Sequence, residues 1–222
     1  MPGYAALSYD PALTWKTLHT PHFKIHYHDG GSAQAQRTAV LAEAIHRELT
    51  AVLDWSPQKK TDVVLTDRTD LANGLATPVP ANQMVLHVTP PDSGEADFGD
   101  WLETLIRHEY THVLHLDMAR NNPEELRAVL GRHPLLFPAL YQPSWFIEGL
   151  ATYLETKPDR HLGRGQSSYF DMLMRMELED GLKPVRQINQ RINSWPGGVV
   201  PYLYGAMFFQ FVEERYGREK VN

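Results

Sequence analysis

The chain contains no cysteine. That excludes a disulfide framework, a thiolate metal site and a cysteine nucleophile, and leaves any chemistry to His, carboxylates, Ser, Thr, Tyr and Lys. Basic residues are not in excess: 21 Lys and Arg face 27 Asp and Glu for a formal net charge of -6, so there is no electrostatic footprint for nucleic acid or an anionic membrane. No apolar run approaches the roughly 20 residues that cross a bilayer, so no membrane insertion is expected. The opening MPGYAALSYD lacks the basic and apolar regions of a signal peptide. Internal repeats, low-complexity tracts and long linkers are missing as well. What remains is a chain of 222 residues, 42% apolar, with ample material for a core. The 11 histidines are the one unusual figure, and their placement is worth following.

Hydrophobic periodicity divides the chain near residue 100. Phe23, Ile25 and Tyr27 alternate with polar residues and predict a strand. Asp29 to Ser32 makes a turn, with Ser32 expected to cap a following helix over 33–53 whose apolar positions are Val40, Leu41, Ala44, Ile45, Leu49 and Val52. Two further strands are expected at 61–66 and 83–89, separated by a polar loop containing Gly74, Pro78 and Pro80. From Trp101 the pattern turns helical, with segments near 101–119, 124–130, 144–156, 167–179 and 204–216; prolines at 123, 134, 138 and 143 break the first part of it. The expected fold class is therefore α+β: a strand-rich N-terminal lobe (1–100) and a helical C-terminal lobe (101–222) within a single domain. The abrupt run Arg218 to Asn222 after the last helix suggests a cut from a longer protein.

One spacing carries chemistry. His108-Glu109-Tyr110-Thr111-His112 lies inside the helix expected near 101–119. Histidines at i and i+4 share a helix face, so both imidazoles can reach one metal ion, and Glu109 is near enough to contact a metal-bound water. Downstream, Ser144 is expected to cap a helix that carries Glu148 between Ile147 and Leu150. An unpaired charge there is costly, and a metal cation would compensate it; the alternative is an acid favoured by the first-turn helix dipole.

The HEYTH stretch followed by WFIEGLATYLE resembles the gluzincin metallopeptidases, the thermolysin-like and aminopeptidase group. The resemblance implies a zincin-like fold with an edge strand packed on the HExxH helix, one Zn2+ held by His108, His112 and Glu148, and Glu109 as general base toward the zinc-activated water. Val200 to Phe209, VPYLYGAMFF, is similar to a segment of the aminopeptidase branch in which a tyrosine three places before a glycine stabilises the tetrahedral intermediate. That role falls on Tyr202, with Tyr204 the second claimant. The opening TPHFKIHYH and the strand, helix, strand order also resemble bacterial domains of the peptidase MA-like type, which implies export to the periplasm or cell exterior and attachment to further domains such as a β-propeller.

Two departures limit the resemblance. The 35 residues between His112 and Glu148 are about twice the aminopeptidase spacing and include a proline-broken insertion, Asn121 to Pro143. No G-x-M-E-N segment precedes the zinc helix, so aminopeptidase specificity is not carried over. Strand 83–89 is expected as the edge strand that binds substrate.

Other histidines fit the site less well. A metzincin needs a third His six residues after the second, and position 118 is Met. His115 is expected to pack, and His161 is held in reserve as a cleft residue. Glu155 shares the face of Glu148 and can accept the second N–H of a zinc-bound histidine, the alternative being a solvated helix-end charge; Asp117 has the same two readings, with the solvated one favoured. The expected function is zinc-dependent hydrolysis of a peptide or protein substrate, and the alternative is a catalytically weak, zinc-containing binding module of a larger exported protein. Ester or epoxide hydrolysis is compatible but not favoured.

Overall fold

Burial along the strands accounts for the order in which they pair. The computed structural model describes residues 12–91, 98–189 and 195–221, and the fold is α+β with one mixed sheet. β1 (Trp15–His19), β2 (Phe23–His28), β3 (Thr61–Thr66), β4 (Gly74–Thr77) and β5 (Gln83–His87) lie in the order β1-β2-β3-β5-β4. β2, β3 and β5 run parallel, and β1 and β4 pair antiparallel at the two edges. The central strands carry the apolar residues: Phe23, Ile25, Val63, Met84 and Leu86 are all fully buried. Such runs belong to sheet interiors.

The edges hold the two strands that periodicity does not announce. β1, WKTLH, is exposed at four of its five positions, so no alternating apolar face marks it. β4 falls in the segment expected to be a polar loop; its four residues, GLAT, gain their strand character only by pairing with β5. This corrects the substrate-strand expectation. The strand expected over 83–89 ends at His87 and is flanked on both sides, and the edge next to the helices is Gly74–Thr77.

α1 (Ser32–Leu53) covers one face of the sheet. Its buried stripe runs through Ala35, Thr38, Ala42, Ile45, His46, Leu49 and Leu53, while Val40 is 73% exposed on the opposite side, contrary to its expected core role. Ser32 is not a cap either, since Gly31 holds the cap position without a side-chain bond. α2 (Trp101–Asp117) is capped by Asp100, whose side chain accepts from the Glu103 N–H, and from Leu102 onward every residue is buried. It runs between α1 and the sheet on one side and α4 (Ser144–Glu155) on the other.

α3 (Asn122–Leu130) and two 3-10 turns form the insertion. α5 (Ser168–Asp180), α6 (Val185–Ile188) and α7 (Val200–Tyr216) complete the fold. α7 starts before the expected Tyr204, with Pro201 in its first turn, where proline's missing N–H costs nothing. Ser144 is the first residue of α4 rather than its cap, and its hydroxyl donates to the Asn189 carbonyl at 2.7 Å. One apolar cluster joins the sheet, α1 and α2 to Leu150, Leu154 and Phe209 across residue 100. Among the described residues no helix is long and apolar enough to cross a membrane.

Candidate metal centre

The four-residue spacing on α2 brings the Nε2 atoms of His108 and His112 to 3.1 Å from each other. α4 crosses α2 and delivers Glu148, whose Oε2 lies 3.3 Å from His108 Nε2 and 3.2 Å from His112 Nε2. Among the described residues this is the one group of three or more His, Asp or Glu side chains that converge closely enough to hold an ion. A tetrahedral ion with bonds of about 2.0–2.1 Å requires donor atoms about 3.3 Å apart. The triangle of 3.1, 3.2 and 3.3 Å therefore has the size of one face of such a polyhedron.

The crossing of α4 over α2 depends on α7. A Cβ on Gly149 would lie 2.3 Å from the Gly205 Cα, and one on Gly205 would lie 2.0 Å from the Trp145 carbonyl oxygen. The two helices meet backbone to backbone beside Glu148. The same contact puts Tyr202 close to the histidines: its ring stacks on His108 with centroids 6.0 Å apart.

Electrostatics calls for positive charge at this point. The Nδ1 of His108 lies 2.7 Å from both Glu155 Oε2 and Arg164 Nη2; the neutral tautomer that donates to the carboxylate has its Nε2 lone pair facing Glu148 and His112. Burial opposes an imidazolium there, as does Arg164, yet Glu148 and Glu155 outweigh both and push His108 up to about 9. Burial would raise the Glu148 carboxyl, but the two histidines hold it well below the usual carboxylate range. Glu155 is fully buried; burial works against its charge, and Arg164 and His108 reverse that and hold it at about 2. Glu109, Glu148 and Glu155 carry three negative charges and Arg164 one positive. With neutral imidazoles a divalent cation would balance this charge, and the His/His/Glu donor set and its size are those of a candidate metal site.

Glu109 lies beside this group, 5% exposed, and receives no hydrogen bond from a described residue. Burial raises its pKa, against the pull of the neighbouring histidines. It packs on the edge strand: a Cβ at Gly74 would lie 2.5 Å from Glu109 Oε1.

The remaining candidates separate clearly. Tyr204 points away from the centre; its hydroxyl donates to Glu177, accepts from the Lys183 N–H at 3.0 Å and is pushed up to about 12 by burial and by Glu177. Tyr202 and Tyr204 thus lie on different faces of α7, and it is Tyr202 that meets His108. His115 is buried against Phe146, ring centroids 5.9 Å apart, and held near 4 by burial and His112, as expected of a packing residue. His161 is exposed on a left-handed turn, φ 48°. Asp117 is not solvated: it is 3% exposed, accepts from Trp55 Nε1 at 3.2 Å and pairs with Arg132 at 2.8 Å, and so anchors the insertion.

Two residues at the centre carry no motif. Gly74 sits in a segment without strand periodicity. Arg164 lies between Gly163, at φ 85°, and Gly165, and that glycine bracket is the one trace in the sequence that a backbone approaches closely there.

No protein-family model matches the chain. It is 26% identical over 206 residues to an uncharacterized protein of Treponema pallidum (strain Nichols). The match covers 91% of this chain and 18% of that protein, so the chain spans less than a fifth of the relative's length.

Proposed function

We propose that this domain is a zinc-dependent peptidase with a zincin-like arrangement, in which His108, His112 and Glu148 hold the ion and Glu109 is the general base. The observation that carries this reading is the convergence of the three donor atoms at 3.1–3.3 Å with a buried Glu109 alongside that receives no hydrogen bond from a described residue. Metal binding alone has no use for that glutamate.

His108, His112 and Glu148 would hold the zinc ion, which when bound would supply Lewis acidity toward a carbonyl and a nearby water. Glu109 would take a water's proton as that water attacks the carbonyl and would return it to the leaving amine; its raised pKa brings proton affinity closer to working pH. Tyr202 donates a hydrogen bond to the oxygen on which charge develops, worth about 2.7–4 kcal/mol for one good donor.

Substrate alignment falls to β4. The His87 N–H bonds the Asn73 carbonyl at 3.0 Å, so in the antiparallel register Leu75 and Thr77 also face β5. The N–H and C=O of Ala76 then point outward. An extended peptide adds there as a further strand, beside Gly74 and Glu109.

The test is the protein's metal content, by mass spectrometry, together with hydrolysis of an unstructured protein substrate by wild type and Glu109→Gln. About one zinc per chain in both, with turnover lost only in the variant, is expected. Wild-type activity without metal overturns the proposal, and zinc retention without hydrolysis in the wild type returns the domain to a metal-containing binding module.

A further inference from the structure

We propose that Arg164 is the positioning residue of this centre, setting the orientation of a metal-binding imidazole and of the Tyr202 phenol through one guanidinium. The inference rests on the metal-centre reading above.

Glu155 ends α4 fully buried, and Arg164 supplies three of its four donors. Arg164 Nε bonds Oε1 at 2.7 Å, its backbone N–H bonds the same oxygen at 3.0 Å, and Nη2 bonds Oε2 at 2.8 Å. The fourth donor is His108 Nδ1, also on Oε2 at 2.7 Å. Glu155 has no rotational freedom left, and the His108 ring is aimed by an oxygen that Arg164 fixes. A forked guanidinium holds a carboxylate in plane; a lysine ammonium, a single point charge, does not.

The mounting of Arg164 is rigid. A Cβ on Gly163 would lie 2.7 Å from the Glu155 carbonyl oxygen, and one on Gly165 would lie 2.7 Å from Thr156 Oγ1. The Gly163 N–H bonds Phe98 O at 3.0 Å, and the Gly165 N–H bonds Thr156 Oγ1 at 3.1 Å. The loop is thus pressed against the end of α4 by its glycines and held there by its own amides.

The same guanidinium reaches across to α7. Its carbon lies 4.8 Å from the Tyr202 ring centroid, and that ring stacks on His108. Glu155, His108, Tyr202 and Arg164 form a closed ring of contacts in which Arg164 grips Glu155 with its fork and lies over Tyr202, and His108 meets both Glu155 and Tyr202. Charge supports the assignment, because Arg164 sets a cation directly against the fully buried Glu155 carboxylate. A residue tying ligand orientation to the phenol couples two measurements that a purely structural arginine leaves independent.

The experiment measures zinc affinity of the whole chain by competition with a chromogenic chelator, with turnover in parallel. Arg164→Ala is expected to weaken zinc binding 10–100-fold, the range for groups that orient metal ligands. Glu155→Gln is expected to do the same, and the double variant to be no weaker than the worse single. Methylguanidinium added to Arg164→Ala restores affinity, and does not restore Glu155→Gln. In Arg164→Ala a further Tyr202→Phe change leaves residual turnover unaltered.

Wild-type affinity in a folded Arg164→Ala protein, or additive losses in the double variant, overturns the assignment. Should Arg164→Ala not fold by circular dichroism, Arg164→Lys decides: affinity at least several-fold below wild type supports the fork, and wild-type affinity overturns it. A wild-type protein that binds no zinc overturns the metal centre itself, and that result is visible before any variant is made.

Discussion

Gly149 on α4 and Gly205 on α7 meet so closely that a Cβ on the first would stand 2.3 Å from the Cα of the second. Glu148 and Tyr202, the side chains those helices bring to the centre, flank this contact in sequence. The absence of side chains at the crossing determines how near a carboxylate and a phenol can come to the histidines. Gly205→Ala is accordingly expected to cost about 1–3 kcal/mol by overpacking, and to loosen zinc binding as well. Urea denaturation with a parallel zinc titration checks both; a variant with wild-type stability and affinity would show that the crossing relaxes freely.

Gly74 presents the same constraint on the opposite side of the centre. Gly74→Ala must displace either β4 or the Glu109 carboxylate, since the added carbon would sit 2.5 Å from Oε1. Neither movement touches the three donor atoms. The expected outcome is retained zinc and a turnover reduced about 100-fold or more, within the range for a displaced proton-transfer group. Loss of the metal instead would place Gly74 among the supports of the donor set.

The two tyrosines of α7 give an internal control. Tyr202→Phe should lower kcat by about 100-fold with little change in KM, because the donor acts on charge that develops in the transition state. Tyr204→Phe removes a part-buried hydroxyl from Glu177 and Lys183, and should cost about 1 kcal/mol of stability while leaving kcat alone. Steady-state kinetics and thermal melts on both proteins distinguish the roles, and a reversed pattern would transfer the function to Tyr204.

Acid sensitivity has an identifiable contributor away from the centre. Burial would raise the Glu48 carboxyl, but Arg107 and Lys157 hold it at about 2 against an ordinary 4.5. A depressed folded-state pKa means its stabilisation is present above about pH 4.5 and lost as pH falls toward about 2. Glu48→Gln should therefore destabilise the protein at pH 7 and do so progressively less toward pH 3. Urea midpoints at the two pH values measure this; equal destabilisation at both would remove Glu48 from the acid response.

Metal removal should be felt in folding. The donors cluster only when α2 and α4 pack, so zinc held by them would bind the folded chain selectively and add about 2.7 kcal/mol at a free concentration of 100 times Kd. Calorimetry with and without a chelator is expected to show a lower melting temperature for the stripped protein. Identical melts at saturating zinc would mean the cation is not held by the folded donor set.

Local pattern carried the α2 histidine pair, because i and i+4 positions coincide on any helix, and it marked the core strands β2, β3 and β5 through buried β-branched and aromatic residues. It also placed Glu148 among apolar neighbours, where a charge needs a partner. The edge strands were not legible, since WKTLH and GLAT acquire their conformation from the strand beside them rather than from a buried face of their own. Nor was Arg164, whose three contacts come from α4, α2 and α7 and have no common sequence spacing. Which of Tyr202 and Tyr204 approaches the histidines likewise depends on the face of α7 that carries each. Periodicity reports which residues share a face of one element; the packing of one element against another, set here by the Gly149 and Gly205 crossing and the β4 pairing, decides which faces share a site.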